Sequence, residues 1–263
     1  TVFHDTMWAL YSNPAFMAPD GPMEASKNPD SVMSRVTKDY INEWLGRKED
    51  IKAKVKALML YHLHSVELEG RNIVVLDVIV QCVINTLKKD LAHLEEMRCD
   101  AFYILGLEQE FTGSFAGLKL KGFIDRLDSF DAGQARVVDY KTGKVLEDDE
   151  NINDSNAEAI ADMIFNPDMK NWPKIALQFY MYDMLVQSRP EVKGRKICNC
   201  VYSTAHLFKE PPVTVPMNRK FYEAVSAKLE AMLAQMYDTS VPFRRTDDEK
   251  TCSYCDFRMI CGR

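Results

Sequence analysis

Residues 118–144 read LKLKGFIDRLDSFDAGQARVVDYKTGK, and this stretch decides the fold. Leu118, Leu120 and Ile124 alternate with Lys119, Lys121 and Asp125, the period-2 pattern of a half-buried strand. Asp131, Gly133 and the residues between supply turn chemistry. A second strand follows over residues 136–140, and Asp139 and Lys141, two apart, share one of its faces. Charged groups raised on two apolar strands need each other, a metal or water to offset their desolvation.

The ordered set resembles the PD-(D/E)xK nucleases, and within them the RecB-like and AddB-like branch. Three motifs carry the resemblance. They are G-x-I-D at Gly122 to Asp125, D-Y-K-T-G at Asp139 to Gly143, and Q-x-x-x-Y at Gln178 and Tyr182. The resemblance implies an α/β, restriction-endonuclease-like core: a small mixed β-sheet flanked by helices, preceded by a helical subdomain. It implies hydrolysis of DNA phosphodiesters with Mg²⁺ or Mn²⁺. Asp125 and Asp139 would ligate the ion, with the backbone carbonyl of Tyr140 and the imidazole of His4 completing the set. Lys141 would hold the attacking water or stabilise the crowded phosphorus, and Gln178 would position water or phosphate. Tyr182 would stack on a base or bond a phosphate, and Arg126 would contact phosphate. Asp128 belongs to the same D-R-L-D phrase and is the competing carboxylate, although on a strand it faces the other way.

Composition bounds the rest. With 263 residues, 46% hydrophobic and 27% charged, the chain can bury a full core. A net charge of -6 does not announce a nucleic-acid binder, but a nuclease needs only a local basic groove. Seven cysteines without a signal peptide point to a reducing, cytoplasmic setting and to metal or cluster duty. No apolar run approaches a membrane span.

Along the chain, residues 1–12 read as a helix with Phe3, Met7 and Leu10 on one side and His4 beside them. Because the chain opens inside that helix, it is expected to be part of a longer protein. Residues 13–30 read as loop, and residues 31–45, 50–62 and 72–97 as helices, the first with a Ser or Asp cap. His62 and His64 read as surface or packing residues. In the longest helix Asp77, Gln81 and Asn85 form a polar stripe that suggests packing inside the helical subdomain. Residues 102–111 read as the first strand, and 113–117 as its turn. Glu108 and Glu110 lie on that strand, either as solvent-side carboxylates or, as in many relatives, with one Glu joining the metal cluster.

Residues 145–172 are acidic and turn-rich, which reads as solvated loop beside the site, with a short helix over 157–165. Residues 173–187 read as a helix, 195–203 as a strand and 211–216 as extended. Residues 218–237 read as an amphipathic helix with Phe221, Val225, Leu229, Met232 and Met236 as its stripe. The parts group as 1–100, helical and carrying His4; 101–210, the nuclease core; and 211–263, the last helix and tail, all within one integrated domain. The tail holds Cys252, Cys255 and Cys261, a C-x2-C-x5-C pattern that resembles the iron–sulfur end of AddB-like relatives. There a fourth cysteine lies ahead of the His helix, here before Thr1. The cluster is therefore expected in the full-length protein and incomplete in this stretch, with Cys82 or Cys99 as substitutes. The function implied is a metal-dependent DNA nuclease, an exonuclease module of a recombination or repair protein coupled to a helicase. The alternative is an inactive nuclease-fold module that binds DNA or a helicase partner.

Overall fold

The computed structural model describes residues 2–12, 35–131, 133–141, 145–166, 169, 171–204, 212–242, 246 and 249–262. The expected loop over 13–30 lies outside them. In chain order the elements are α1 (Val2–Tyr11), β1 (Arg35–Thr37), α2 (Lys38–Gly46), α3 (Lys48–Leu63) and α4 (Arg71–Glu96). Then come β2 (Ala101–Phe115), β3 (Leu118–Asp131), β4 (Gln134–Lys141), α5 (Glu147–Glu150), α6 (Ala157–Phe165) and α7 (Lys174–Val186). The chain finishes with β5 (Lys196–Ser203), β6 (Val213–Val215), α8 (Arg219–Tyr237) and α9 (Glu249–Cys252).

Among the described residues the strands form one six-stranded sheet in the order β1-β2-β3-β4-β5-β6. All neighbours are antiparallel except β4 and β5, which run parallel. That parallel pair requires a crossover, and α5 to α7 supply it. The architecture is the mixed α/β arrangement expected, with helices on both faces of the sheet. On one face α1, α3 and α4 pack Met7, Leu10, Val55, Val83 and Leu87 against sheet residues Phe102, Val138 and Tyr202 in a single core. On the other, α6, α7 and α8 pack Ile160, Phe179 and Val225 against Val137 and Val201. Among the described residues no helix is long and apolar enough to cross a membrane.

Several local expectations change. The helix placed at 31–45 begins only at Lys38, because Val36 and Thr37 pair with the edge of β2 and Thr37 Oγ1 caps the helix by accepting Tyr40 N at 3.1 Å. β2 is therefore the second strand of the sheet, and it runs on to Phe115. The reversal is Ala116-Gly117, both at positive φ (48° and 80°), as a two-residue hairpin of this twist requires. The Asp77 and Gln81 stripe faces solvent, Asp77 pairing with Lys52 at 2.8 Å. The polar residues that α4 buries are Thr86 and Asp90. The acidic run 147–150 is a helical turn, not solvated loop, and its Asp149 is buried. Asp149 Oδ1 accepts Ala176 N at 2.7 Å, placing a carboxylate at the positive end of α7. Finally, Met232 and Met236 leave the apolar stripe of α8 for solvent, while Phe221, Val225 and Leu229 stay inside.

The interior also holds a charge network. Asp90 of α4, Arg126 and Asp128 of β3 are fully buried and Arg136 of β4 nearly so. Arg126 grips Asp90 through two bonds of 2.8 Å and reaches Asp128 at 2.9 Å. Arg136 grips Asp128 at 2.8 and 2.9 Å. Tyr11 and Tyr202 donate to the two oxygens of Asp90 at 2.5 and 2.6 Å. Burial alone would raise the Asp90 carboxyl, but the Arg126 guanidinium outweighs it and holds the group at about 2.

Truncating Asp90 leaves Arg126 and Arg136 to share the single carboxylate of Asp128, with one buried positive charge in excess. Asp90→Ala is expected to cost about 3–5 kcal/mol of unfolding free energy, read by urea denaturation. A second buried carboxyl behaves in the opposite way. Asp183 of α7 accepts from Asn199 at 2.8 Å and from Tyr222, yet burial raises it to about 7. Its folded value lies above its ordinary one, so its contribution is full below about pH 4 and is lost as pH rises through about 7. Asp183→Asn is expected to flatten that loss, gaining on the native chain by on the order of 4 kcal/mol between pH 4 and 8 in denaturation series.

Candidate active site

The site forms where β3 and β4 part. Backbone pairing between them covers Arg126 to Asp128 against Arg136 to Val138, and Asp125 lies one residue beyond. There a side chain replaces the ladder: Asp125 Oδ2 accepts the Tyr140 amide at 2.7 Å. Tyr140 is fixed at three points, since its carbonyl accepts His4 Nε2 at 2.8 Å and its hydroxyl accepts Arg126 at 3.0 Å. Arg126 itself is fully buried, with its guanidinium 5.3–5.7 Å from the rings of Tyr11, Phe102, Tyr140 and Tyr202. The expected phosphate contact by Arg126 is therefore corrected: the residue faces inward, committed to Asp90 and Asp128, and acts on the site through Tyr140. Asp128 shares that interior face and does not compete with Asp125.

On the opposite side, the pleat of β4 turns Asp139 and Lys141 toward α7. Lys141 Nζ lies 2.9 Å from Asp139 Oδ2. Gln178 Nε2 donates to Asp139 Oδ1 at 3.0 Å and to Tyr182 Oη at 2.5 Å. The i,i+4 spacing on α7 places Gln178 and Tyr182 together over the carboxylate. Burial, and then the neighbouring Asp125 charge, raise the Asp139 carboxyl above its usual range against the pull of Lys141. Burial and Asp139 push the Tyr182 phenol up, so it remains a neutral donor.

A third group completes the picture. One ligand atom each from His4, Glu108 and Asp125 lies within 4.8 Å of the others. These residues arrive from α1, β2 and β3. Glu108 gets there through a left-handed backbone, φ 45°, uncommon for a residue with a side chain and typical of strain kept at a functional position. Its strand neighbour Glu110 instead pairs with Lys121 at 3.2 Å on the surface. Of the two possibilities for this pair of glutamates, the structure brings Glu108 to the cluster. Asp139 stands just outside that group, held by Lys141 and Gln178.

The donor set suits a hard divalent cation tolerant of one imidazole.

The tail thiols are placed differently. Cys252 is buried and Cys255 and Cys261 are partly so. Cys82 packs in the helical core, and Cys99 Sγ donates to the carbonyls of Met97 and Phe130. Among the described residues the cysteines form no group of three metal-ligating side chains.

Sequence reading missed Asp90, Arg136 and Asp149. Asp90 had a signal, since it occupies the core-facing slot between Leu87 and Leu94 in the helical repeat.

A comparison with curated proteins returned no match. A family model described as the PD-(D/E)XK nuclease superfamily matches residues 1–262. Because that match spans nearly the whole chain, the chain belongs to the PD-(D/E)XK nuclease superfamily.

Proposed function

We propose that the chain is a divalent-metal-dependent deoxyribonuclease, an exonuclease of the RecB-like and AddB-like branch. The observation that carries this reading is the convergence of His4, Glu108 and Asp125 beside Asp139, Lys141 and Gln178. His4, Glu108, Asp125 and Asp139, with the Tyr140 carbonyl, would hold Mg²⁺ or Mn²⁺. The ion would supply Lewis acidity to the phosphate and a low-pKa water.

The remaining work falls to this chain's own groups. Lys141 carries its charge to the attacking water and to the oxygens that gain charge at phosphorus. Gln178 orients Asp139 and the water, while Tyr182 holds Gln178 and faces the nucleic acid with a neutral hydroxyl. Arg126 positions Tyr140 and touches no substrate. The broader role is a module of a DNA recombination or repair protein, acting in a reducing cytoplasmic setting beside a helicase subunit or domain. The motif order and the C-x2-C-x5-C tail support that reading. Cys252, Cys255 and Cys261 would hold an iron–sulfur cluster with a fourth thiolate.

Labelled single- and double-stranded DNA, incubated with Mg²⁺, Mn²⁺ or EDTA, tests the activity. Metal-dependent cleavage that falls by about 10²–10³-fold or more in Lys141→Ala is expected. DNA that is bound but never cut would favour the inactive, DNA-binding alternative. Titration calorimetry tests the metal site separately. Glu108→Gln is expected to weaken Mn²⁺ binding by about tenfold or more, with Glu110→Gln unchanged. Equal affinities in the two variants would remove Glu108 from the site.

A further inference from the structure

The β2–β3 hairpin projects beyond β4, and its two faces differ. Leu120, Gly122 and Ile124 turn toward α7: Leu120 packs on that core, Ile124 is buried in it, and a Cβ on Gly122 would lie 3.0 Å from Leu185 Cδ1. Lys121, Phe123 and Asp125 alternate with them and so share the other face. Phe123 is 60% exposed, although it stands only two residues, about 7 Å of strand, from the Asp125 carboxylate. Among the described residues β4 pairs with β3 only from Arg126 onward, and at the edge of β3 left beyond that point Phe123 stands at the rim of a groove of about 410 Å³ that reaches across to α7, whose wall includes Leu177, Gln178, Met181 and Tyr182. That volume falls within the range of ligand sites. Lys121 and Lys174 stand at its margin. The Lys121–Glu110 pair is exposed and solvent-screened, so a phosphate can displace it.

We propose that Phe123 is the stacking platform for the unpaired base next to the scissile phosphate, with Lys121 and Lys174 taking the flanking backbone phosphates. The proposal rests on the nuclease reading for its register, since Gln178 and Tyr182 are among the residues that line the groove. An apolar floor with a protruding aromatic and two cations accepts any base, because every base has a π-face and the contact reads no edge. The groove thus selects strands that are unstacked at the cut, without sequence preference. Gly122 keeps the strand close to α7, where a side chain would push it off Leu185.

Two readouts test this. In Mn²⁺ cleavage of an oligothymidylate of about twelve nucleotides, F123A is expected to lose about five- to hundredfold in kcat/KM, and F123W to recover it. An abasic residue at the flanking position should erase the difference between native chain and F123A. Without divalent metal, the fluorescence that F123W adds should be quenched by the same oligonucleotide, and less so by the abasic strand. Quenching without cleavage in any protein would keep the platform and sink the nuclease reading. Cleavage and binding unchanged in F123A, or equal quenching by both strands, would overturn the platform and leave the nuclease reading intact. Failure of the oligonucleotide to quench F123W at all would overturn it too.

Discussion

Asp90, Arg126, Asp128 and Arg136 meet in the interior with their charges balanced, and the geometry of the site hangs on that balance. Removing such groups from water is expensive, and only the bidentate contacts and the phenols of Tyr11 and Tyr202 make the network tolerable. The network draws on α1, α4, β3, β4 and β5 at once. None of these elements can slide without exposing an unpaired buried charge, so the relative placement of helix layer and sheet is fixed.

That constraint reaches the chemistry through Tyr140 and α1. Tyr140 anchors its hydroxyl on Arg126, and its backbone amide and carbonyl engage Asp125 and His4. Tyr11, two turns along α1 from His4, is tied to Asp90, so the helix that carries the imidazole is held at its other end. A site that must gather like charges gains from having its scaffold set elsewhere. Asp125, Asp139 and Glu108 repel one another, and rigid elements keep them near each other.

The other face contributes through α7. Asp149 stabilises the start of that helix, and Asp183 pins it to β5 and α8. Between these two anchors lie Gln178 and Tyr182, directly over Asp139. The two layers thus approach the fork from opposite sides: imidazole and glutamate on one, lysine and glutamine on the other.

Much of this was legible along the chain. The period-2 pattern around Asp125 and the D-Y-K-T-G and Q-x-x-x-Y motifs are local, because neighbours on one strand face or one helix turn are set by backbone geometry. They marked the hairpin, the Asp139–Lys141 pair and the helix above it. Arg126 was misread for the opposite reason: a cation in D-R-L-D looks the same whether it meets a phosphate or a buried aspartate. Its partner, Asp90, lies 36 residues away on another element. Glu108 could not be separated from Glu110 by alternation, since its placement depends on its own left-handed backbone. The sequence by itself determined most of the elements, the D-x-K pair on one strand face and the family pattern, all fixed by short-range stereochemistry. Only the tertiary structure decided which charges face inward and which carboxylate joins His4 and Asp125, because desolvation and long-range pairing exist only once the layers have packed.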